Sequence, residues 1–340
     1  MKQKVLLIYT GGTIGMKVHP ETGALSPVDF DHLSQSIPEL KLLHCEVHAL
    51  SFPEPIDSSN MNPERWLELA QLIRNNYDLY DGFVILHGSD TMAYTASALS
   101  FLLQNLSKPV ILTGSQLPVG ILRTDARENL ISSLELAALT NDQGAPIINE
   151  VAIYFEYKLY RGNRTFKNSA ENFEAFQSPN YPNLAELGVT MRINYPYLLP
   201  PSLEPLQMHR NLNREVAVVP LYPGFNEKII LKTVEAGSRG LILRTFGSGN
   251  APDSVLLNQV IKETIDAGVP IVNVSQCRIG SVDQTRYASG RHLQELGVIS
   301  GKDITLEAAI TKLMYLLGEG LSETEIAFQF GKSLRGEITI

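Results

Sequence analysis

Short apolar runs that end in glycine, serine or threonine alternate with helical patterns along this chain. No other feature constrains the fold as strongly. The apolar runs cover 4–10, 82–87, 109–113, 150–157, 215–221, 240–245 and 270–274. Continuous runs rich in Val and Ile are typical of parallel strands that are covered on both faces. Strands that alternate with helices therefore predict an α/β fold with a doubly wound, mainly parallel sheet.

Helix starts in the sequence carry capping signals. Asn62 is a favourable N-cap residue, and Pro63 suits the first helical position, where an N–H would have no partner. Apolar residues then recur at i, i+3, i+4 and i+7 from Trp66, which places them on one face. Ser322 with Glu325 three residues later predicts a capping box. Other helices are predicted over 91–104, 124–139 and 306–317.

A stretch without periodicity separates the two halves of the alternating pattern. It runs from about 194 to 212 and contains Pro196, Pro200, Pro201 and Pro205. Proline clusters of this kind are typical of a crossing between domains. We therefore expect a larger N-terminal catalytic domain over 1–193, a linker over 194–213 and a smaller C-terminal α/β domain over 214–340.

Composition excludes several classes of protein. The chain has 28 Lys and Arg against 36 Asp and Glu, a net charge of −8, which disfavours binding to nucleic acid or to an anionic membrane surface. No apolar run approaches the roughly 20 residues that span a bilayer, and the apolar run near the start is too short to predict a secretory signal. The two cysteines, Cys45 and Cys277, form no CxxC pair, which excludes a disulfide framework. We expect a cytoplasmic protein without nucleic-acid or membrane partners.

Polar clusters follow successive predicted strands at 10–15, 88–91 and 114–116, and another precedes a helix at 57–59. All four contain hydroxyl side chains, three contain glycine, and two carry an acid. One such cluster alone is usually a plain turn or helix cap. Because ligands bind at the carboxyl ends of strands in open α/β sheets, we expect these clusters to converge on one cleft.

Other chemistries find little support in the motifs. No GxGxxG or GxxxxGK[ST] pattern occurs, so a phosphate cradle is disfavoured. The seven histidines include no HExxH set, and we expect His87, at the end of a buried strand, to be a hydrogen-bonded core residue. No GxSxG elbow is present. Lys167 can act as a base if its surroundings depress its pKa, although a solvated surface lysine is the simpler alternative.

Four segments together resemble bacterial L-asparaginases: TGGTIG at 10–15, HGSDTMAYTASALSF at 87–101, PVILTGSQ at 109–116 and LYRGNRTFK at 159–167. The similarity is greater to the type I, cytoplasmic branch and covers essentially the whole chain in order. The pair TGGTI and HGxDT is specific to this family. The resemblance implies the two-domain asparaginase fold and hydrolysis of L-asparagine to L-aspartate and ammonia. It also implies that no metal or cofactor takes part, and that the protein is a homo-oligomer, a dimer or a dimer of dimers.

The resemblance also implies catalytic roles. The family nucleophile falls on Thr13, and the second hydroxyl, acid and lysine fall on Ser89, Asp90 and Lys167. Thr13 attacks the amide carbon, water resolves the acyl-enzyme, and Lys167 relays protons. Backbone N–H groups at the start of the helix after Ser89 can stabilise the oxyanion.

The same resemblance implies that the substrate is held by Asp57, Ser58, Ser59, Ser89 and Asp90. Two departures from the family pattern stand out. The variable position of HGxDT, usually Thr, is Ser89, which keeps a hydroxyl. The loop tyrosine that the family usually carries near 23–25 is missing, which leaves open how Thr13 is activated.

Some cytoplasmic asparaginases that resemble this chain bind a second asparagine at an effector site. The corresponding residues here are Phe166, Arg244, Asn250 and Cys277. Regulated enzymes have a small hydroxyl residue where Phe166 stands, and a phenyl ring is bulky and cannot hydrogen-bond the effector. We therefore expect little or no activation by asparagine.

Two alternative classes of protein fit the motifs less well. The amidase subunit of an archaeal tRNA-dependent amidotransferase carries an added domain before TGGTI, whereas Thr13 lies twelve residues from the start here. A non-catalytic amino-acid-binding protein would have no need to keep Thr13, Ser89, Asp90 and Lys167 together. We expect neither.

Overall fold

The computed structural model describes residues 2–18, 25–27 and 36–340. It divides into two units, Met1–His209 and Arg210–Ile340. The division falls inside the proline-rich stretch described above. The larger unit contains the strands β1 Lys4–Tyr9, β2 Met16–Val18, β3 Leu25–Pro27, β4 Glu46–Ser51, β5 Gly82–Leu86, β6 Leu103–Gln104, β7 Val110–Thr113, β8 Val151–Phe155, β9 Lys158–Arg161, β10 Phe166–Lys167, β11 Phe176–Gln177, β12 Ala185–Leu187, β13 Met191–Ile193 and β14 Gln207–Met208. Its helices are α1 Pro63–Asn76, α2 Met92–Leu102 and α3 Ala126–Ala137.

An eight-stranded sheet forms the centre of the first unit, in the order β13-β12-β9-β8-β7-β5-β1-β4. The strands from β8 to β4 in this order are parallel, and β9, β12 and β13 extend the sheet with antiparallel pairs. Every residue of β5, β7 and β8 is buried. Coverage of both faces explains why these strands are continuously apolar in the sequence. The predicted fold class is confirmed.

The helix boundaries follow local capping chemistry. The Asn62 side chain accepts a hydrogen bond from the N–H of Arg65 at 3.0 Å, and Pro63 is the first residue of α1, as predicted. The buried face of α1 begins with Trp66 and includes the apolar positions that follow it at helical spacing.

One predicted strand is too long. The run 150–157 ends as a strand at Phe155, because Glu156 and Tyr157 adopt φ values of +44° and +65°. Paired left-handed residues are the geometry of a tight hairpin, which turns the chain into β9. The antiparallel strands β9, β12 and β13 were not predicted, because they are short and lack a continuous apolar run.

The second unit has a four-stranded parallel sheet in the order β15-β16-β17-β18. Its strands are β15 Val216–Pro220, β16 Gly240–Thr245, β17 Ile271–Ser275 and β18 Ile299–Ser300. Its helices are α4 Lys228–Glu235, α5 Val255–Asp266, α6 Ala288–Glu295, α7 Leu306–Gly318 and α8 Glu323–Phe330. The capping box of Ser322 and Glu325 opens α8, as predicted. Among the helices of the described ranges, none has the length and apolar character needed to cross a membrane.

Candidate active site

The strand order of the large sheet reverses between β1 and β5. From β1 the chain passes to β4 on one side and then returns to β5 on the other side. In open α/β sheets the ligand crevice lies outside the carboxyl ends of the strands at such a reversal. The polar clusters 10–15 and 88–91 follow β1 and β5 and therefore border it. The sheet of the second unit follows chain order and has no such reversal among its described strands.

Two glycines allow the turn after β1 to approach its neighbours closely. Gly11 has a φ of +136°, and a Cβ there would lie 2.1 Å from the carbonyl oxygen of Ile56. Gly12 has a φ of +89°, and its Cβ would lie 2.4 Å from the backbone nitrogen of Gly88. Any side chain would displace backbone at both positions. Gly-Gly therefore brings Thr13, which begins a short 3₁₀ helix, beside the turn after β5.

The turn after β4 packs against the same place. Asp57 caps a single 3₁₀ turn, because its Oδ1 accepts the backbone N–H and the hydroxyl of Ser59, both at 2.9 Å. These two hydrogen bonds lower the pKa of the Asp57 carboxyl below its ordinary value. Ser58 is buried, and a Cβ on Gly88 would lie only 2.5 Å from its Oγ. The predicted substrate-binding segment thus adjoins the predicted catalytic segment.

Lys167 completes a three-residue cluster with Ser89 and Asp90. Its Nζ donates to Ser89 Oγ at 2.8 Å and to Asp90 Oδ1 at 2.6 Å. The lysine side chain is 17% exposed, whereas that of Asp90 is 66% exposed. Lys167 is therefore not the solvated surface lysine that the sequence left as an alternative. The amine lies within proton-transfer distance of a hydroxyl and a carboxylate at the edge of the crevice.

Gln116 fixes the direction of the Ser89 hydroxyl. Its Nε2 donates to the carbonyl oxygen of Asn172 at 3.1 Å, and its Oε1 accepts from Ser89 Oγ at 3.2 Å. A backbone carbonyl can only accept, so the amide nitrogen must face Asn172 and the amide oxygen must face Ser89. The Ser89 oxygen consequently donates to Gln116 and accepts from Lys167. Sequence analysis placed Gln116 in a polar cluster but gave it no role.

Asp125 holds the backbone that carries Gln116. Its carboxylate accepts the N–H of Gln116 at 2.9 Å and that of Leu117 at 3.1 Å. Burial raises the pKa of this carboxyl above its ordinary value, while the N–H donors oppose that effect. Sequence analysis missed Asp125. The sequence signal that could have found it is an aspartate at the N-cap position of α3. In the structure this side chain makes no cap hydrogen bond to the helix and supports the neighbouring turn.

His87 is a hydrogen-bonded core residue, as predicted. Its Nδ1 donates to the Gly88 carbonyl at 2.7 Å, and its Nε2 accepts from Thr95 Oγ1 at 2.9 Å. The Thr95 hydroxyl accepts a hydrogen bond from Trp66 Nε1 at 3.0 Å, so its own proton must be donated to His87. Burial lowers the pKa of His87 to about 4, so the ring is neutral at pH 7. In the part of the chain that the structure describes, no three His, Cys, Asp or Glu side chains assemble to hold a metal ion.

Tyr9 supports the helix that Thr13 begins. Its hydroxyl donates to the Gly15 carbonyl at 3.0 Å, and burial raises its pKa to about 12. A Cβ on Gly15 would lie 2.3 Å from the tyrosine ring, so glycine is required there. The expectation of a missing loop tyrosine concerns 23–25, of which Gly23 and Ala24 lie outside the described residues.

The four predicted effector residues divide between the units. In the first unit, Phe166 is a buried residue of β10. In the second, Arg244 lies on β16 and donates to the Gln276 carbonyl at 3.4 Å, while its buried Nε has no hydrogen-bond partner within the described ranges. Asn250 accepts from the Ser289 hydroxyl at 3.3 Å, and Cys277 is exposed with a free thiol.

Comparison with known proteins identifies the family. The asparaginase N-terminal model matches residues 4–198, and the glutaminase/asparaginase C-terminal model matches residues 215–330. L-asparaginase 1 of Escherichia coli K12 is 44% identical over 347 aligned positions, covering 99% of this chain and 98% of its own length. The fold and the relatives together define an enzyme of the amidohydrolase class. The chain belongs to the asparaginase family.

Solved structures agree with this assignment. L-asparaginase I from Vibrio cholerae superposes with a TM-score of 0.90 at 40% identity, and each chain is covered in full. A probable cytoplasmic L-asparaginase from Campylobacter jejuni gives a TM-score of 0.81 at 26% identity, covering 98% of this chain and all of that one. The predicted resemblance to the type I branch and the predicted fold are confirmed.

Proposed function

We propose that this protein is an L-asparaginase that hydrolyses L-asparagine to L-aspartate and ammonia, with Thr13 as the nucleophile. The observation that carries the proposal is the contact of Lys167 Nζ with both Ser89 and Asp90, beside the turn that bears Thr13. Full-length similarity to proteins named L-asparaginase supports the choice of substrate.

In the first half-reaction, Thr13 Oγ1 attacks the carbon of the side-chain amide. Lys167 relays the hydroxyl proton to the departing nitrogen, so that ammonia leaves and an ester on Thr13 remains. Asp90 and Ser89 hold Nζ in place for both transfers. The lysine thus acts as base and then as acid.

In the second half-reaction, water attacks the ester carbon, and its proton returns through Lys167 to the oxygen of Thr13. Aspartate is released, and one water is consumed for each ammonia formed. Negative charge on the carbonyl oxygen is stabilised in both steps by backbone N–H groups at the start of α2. The side chain of Thr91, the N-cap residue, makes no hydrogen bond to these groups, so they are not occupied by a side-chain cap.

Substrate orientation depends on the turn after β4. Asp57, Ser58 and Asp90 contact the α-amino and α-carboxylate groups of asparagine, with Ser59 and Ser89 adjacent. The low pKa of the Asp57 carboxyl keeps it ionised, which suits an ammonium group. We further propose that the protein acts in the cytoplasm as a homo-oligomer, a dimer or a dimer of dimers. Light scattering at working concentration tests the oligomer, and a fully active monomer contradicts it.

An ammonia-release assay tests the proposal. The wild-type protein should release one ammonia for each asparagine consumed, and Thr13→Ala should lose nearly all turnover. Calorimetry with L-aspartate, the product, should still detect binding to Thr13→Ala if the variant is folded. Binding of asparagine without ammonia release by the wild type would instead indicate an amino-acid-binding protein, and wild-type kcat in Thr13→Ala would remove Thr13 from the mechanism.

A further inference from the structure

We propose that Thr91 is a positioning residue for substrate capture, because its hydroxyl tethers the turn that carries Asp57 and Ser58 to the segment that carries Ser89 and Asp90. The inference rests on the proposed function, since it takes the Asp57 turn to be the part of the site that holds the substrate. Thr91 itself is not assigned any contact with substrate.

The Thr91 side chain does not form the helix-capping hydrogen bond that its position predicts. It is the N-cap residue of α2, and an N-cap threonine normally accepts a backbone N–H of the first turn. No such bond is formed here. The hydroxyl instead donates to the carbonyl oxygen of Ser58 at 2.7 Å, across 33 residues of sequence. The side chain therefore serves a contact between two loops.

The acceptor is the central atom of the turn that follows β4. Ser58 O also accepts the N–H of Met61 at 3.1 Å, which closes the 3₁₀ turn that Asp57 caps. One lone pair of this oxygen thus holds the turn together, and the other fixes it to Thr91. Ser58 is only 4% exposed, so water does not readily replace the threonine hydroxyl.

Packing leaves the tether little freedom. The Cα of Gly88 approaches Ser58 so closely that a Cβ would lie 2.5 Å from Ser58 Oγ. Gly88 directly precedes Ser89 and lies three residues before Thr91 in the chain. The hydrogen bond and the close contact together fix the distance between the turn after β4 and the turn after β5.

The hydrogen bond from Thr91 to Ser58 connects the segments that bind the substrate, and it involves neither the Ser89 hydroxyl nor Lys167. Lys167 and Gln116 hold Ser89 through its hydroxyl, and neither of these contacts involves Ser58 or Thr91. Loss of the Thr91 hydroxyl should therefore loosen Asp57 and Ser58 relative to Asp90 while the proton relay stays assembled. Substrate binding should weaken more than the chemical step slows.

Two substitutions at the same position separate the hydroxyl from the shape of the side chain. Thr91→Val keeps the branched shape and lacks the donor, and we expect about a tenfold rise in KM for asparagine with kcat within about threefold of wild type. The inhibition constant of L-aspartate should rise by a similar factor, because it reports binding without chemistry. Thr91→Ser restores the donor, and both constants should return to within about twofold of wild type.

Thr264→Val is the matched control. The Thr264 hydroxyl donates to the Val260 carbonyl at 2.8 Å in α5, and the residue is only 1% exposed, so its removal should cost stability without removing any hydrogen bond of the proposed site. We expect a lower Tm with unchanged KM. Thr91→Ala replaces Thr91→Val if the valine variant does not yield folded protein.

Three results would overturn the inference: wild-type KM and inhibition constant in Thr91→Val, a Thr91→Ser variant as impaired as Thr91→Val, or failure of both Thr91→Val and Thr91→Ala to fold while Thr91→Ser folds. Failure of the proposed function gives a different pattern, since the wild type then releases no ammonia or Thr13→Ala remains active.

Discussion

Lys167→Met tests whether the amine of Lys167 moves protons. Methionine keeps the length and the apolar stem of the side chain, and only 17% of the lysine side chain is exposed, so the site should remain packed. The substitution removes the donor to Ser89 and Asp90. A general acid–base residue contributes typically 10²- to 10⁴-fold in rate. We therefore expect kcat to fall by that factor, which corresponds to about 3–5 kcal/mol of transition-state stabilisation.

The expected loss of stability is much smaller. Asp90 is 66% exposed, so its carboxylate is solvated by water when the lysine is gone, and pairs of this kind contribute at most about 1 kcal/mol. For a unit of the size of Met1–His209 that corresponds to a change in Tm of about 2–4 °C. Activity and stability should therefore separate clearly in this variant.

Lys167→Arg distinguishes proton transfer from charge. Arginine keeps the positive charge beside Asp90 but does not give up its proton at neutral pH. Both variants should be nearly inactive in the ammonia-release assay. Lys158, which pairs with Glu174 elsewhere in the same unit, provides the control, and Lys158→Met should leave kcat unchanged. Substantial activity in Lys167→Arg would show that Lys167 supplies only charge, and wild-type kcat in Lys167→Met would refute the reasoning altogether.

Three further outcomes are expected. Asparagine should exceed glutamine by on the order of a hundredfold in kcat/KM, because one extra methylene moves the amide by about 1 Å from Thr13, and equal values would contradict this. The rate should depend hyperbolically on asparagine with a Hill coefficient near one, because Phe166 is buried and cannot hydrogen-bond an effector, whereas a sigmoidal curve would show that effector binding persists. The free energy of unfolding should fall as pH drops from about 6.5 to 4, because His87 has a pKa of about 4 when folded and 6.5 when unfolded, so the unfolded chain binds the proton first. Denaturant titrations should show that the free energy of unfolding of His87→Gln falls by about 3 kcal/mol less over this pH range than that of the wild type. An equal fall in both proteins would contradict the assignment.

Local interactions explain what could be read from the sequence. The cap at Asn62, the capping box at Ser322 and the buried parallel strands depend on neighbours within a few residues or on continuous apolar runs. Short antiparallel strands such as β12 have no such run, and they were missed. The motifs TGGTI and HGxDT identified the family directly, and the resemblance made Thr13, Ser89 and Asp90 candidate site residues.

Long-range contacts decided the rest. Ser89 and Lys167 are 78 positions apart, and Ser58 and Thr91 are 33 positions apart. Local patterns do not predict these contacts, because they depend on which strands are adjacent in the sheet. The strand order places β1 between β4 and β5, so that three turns meet at one edge. The same strand order explains why residue 12 is glycine, since the turn after β1 contacts the turn after β5 there. A sequence determines which turns it will form, but the roles of Gln116, Asp125 and Thr91 exist only where the turns come together in space.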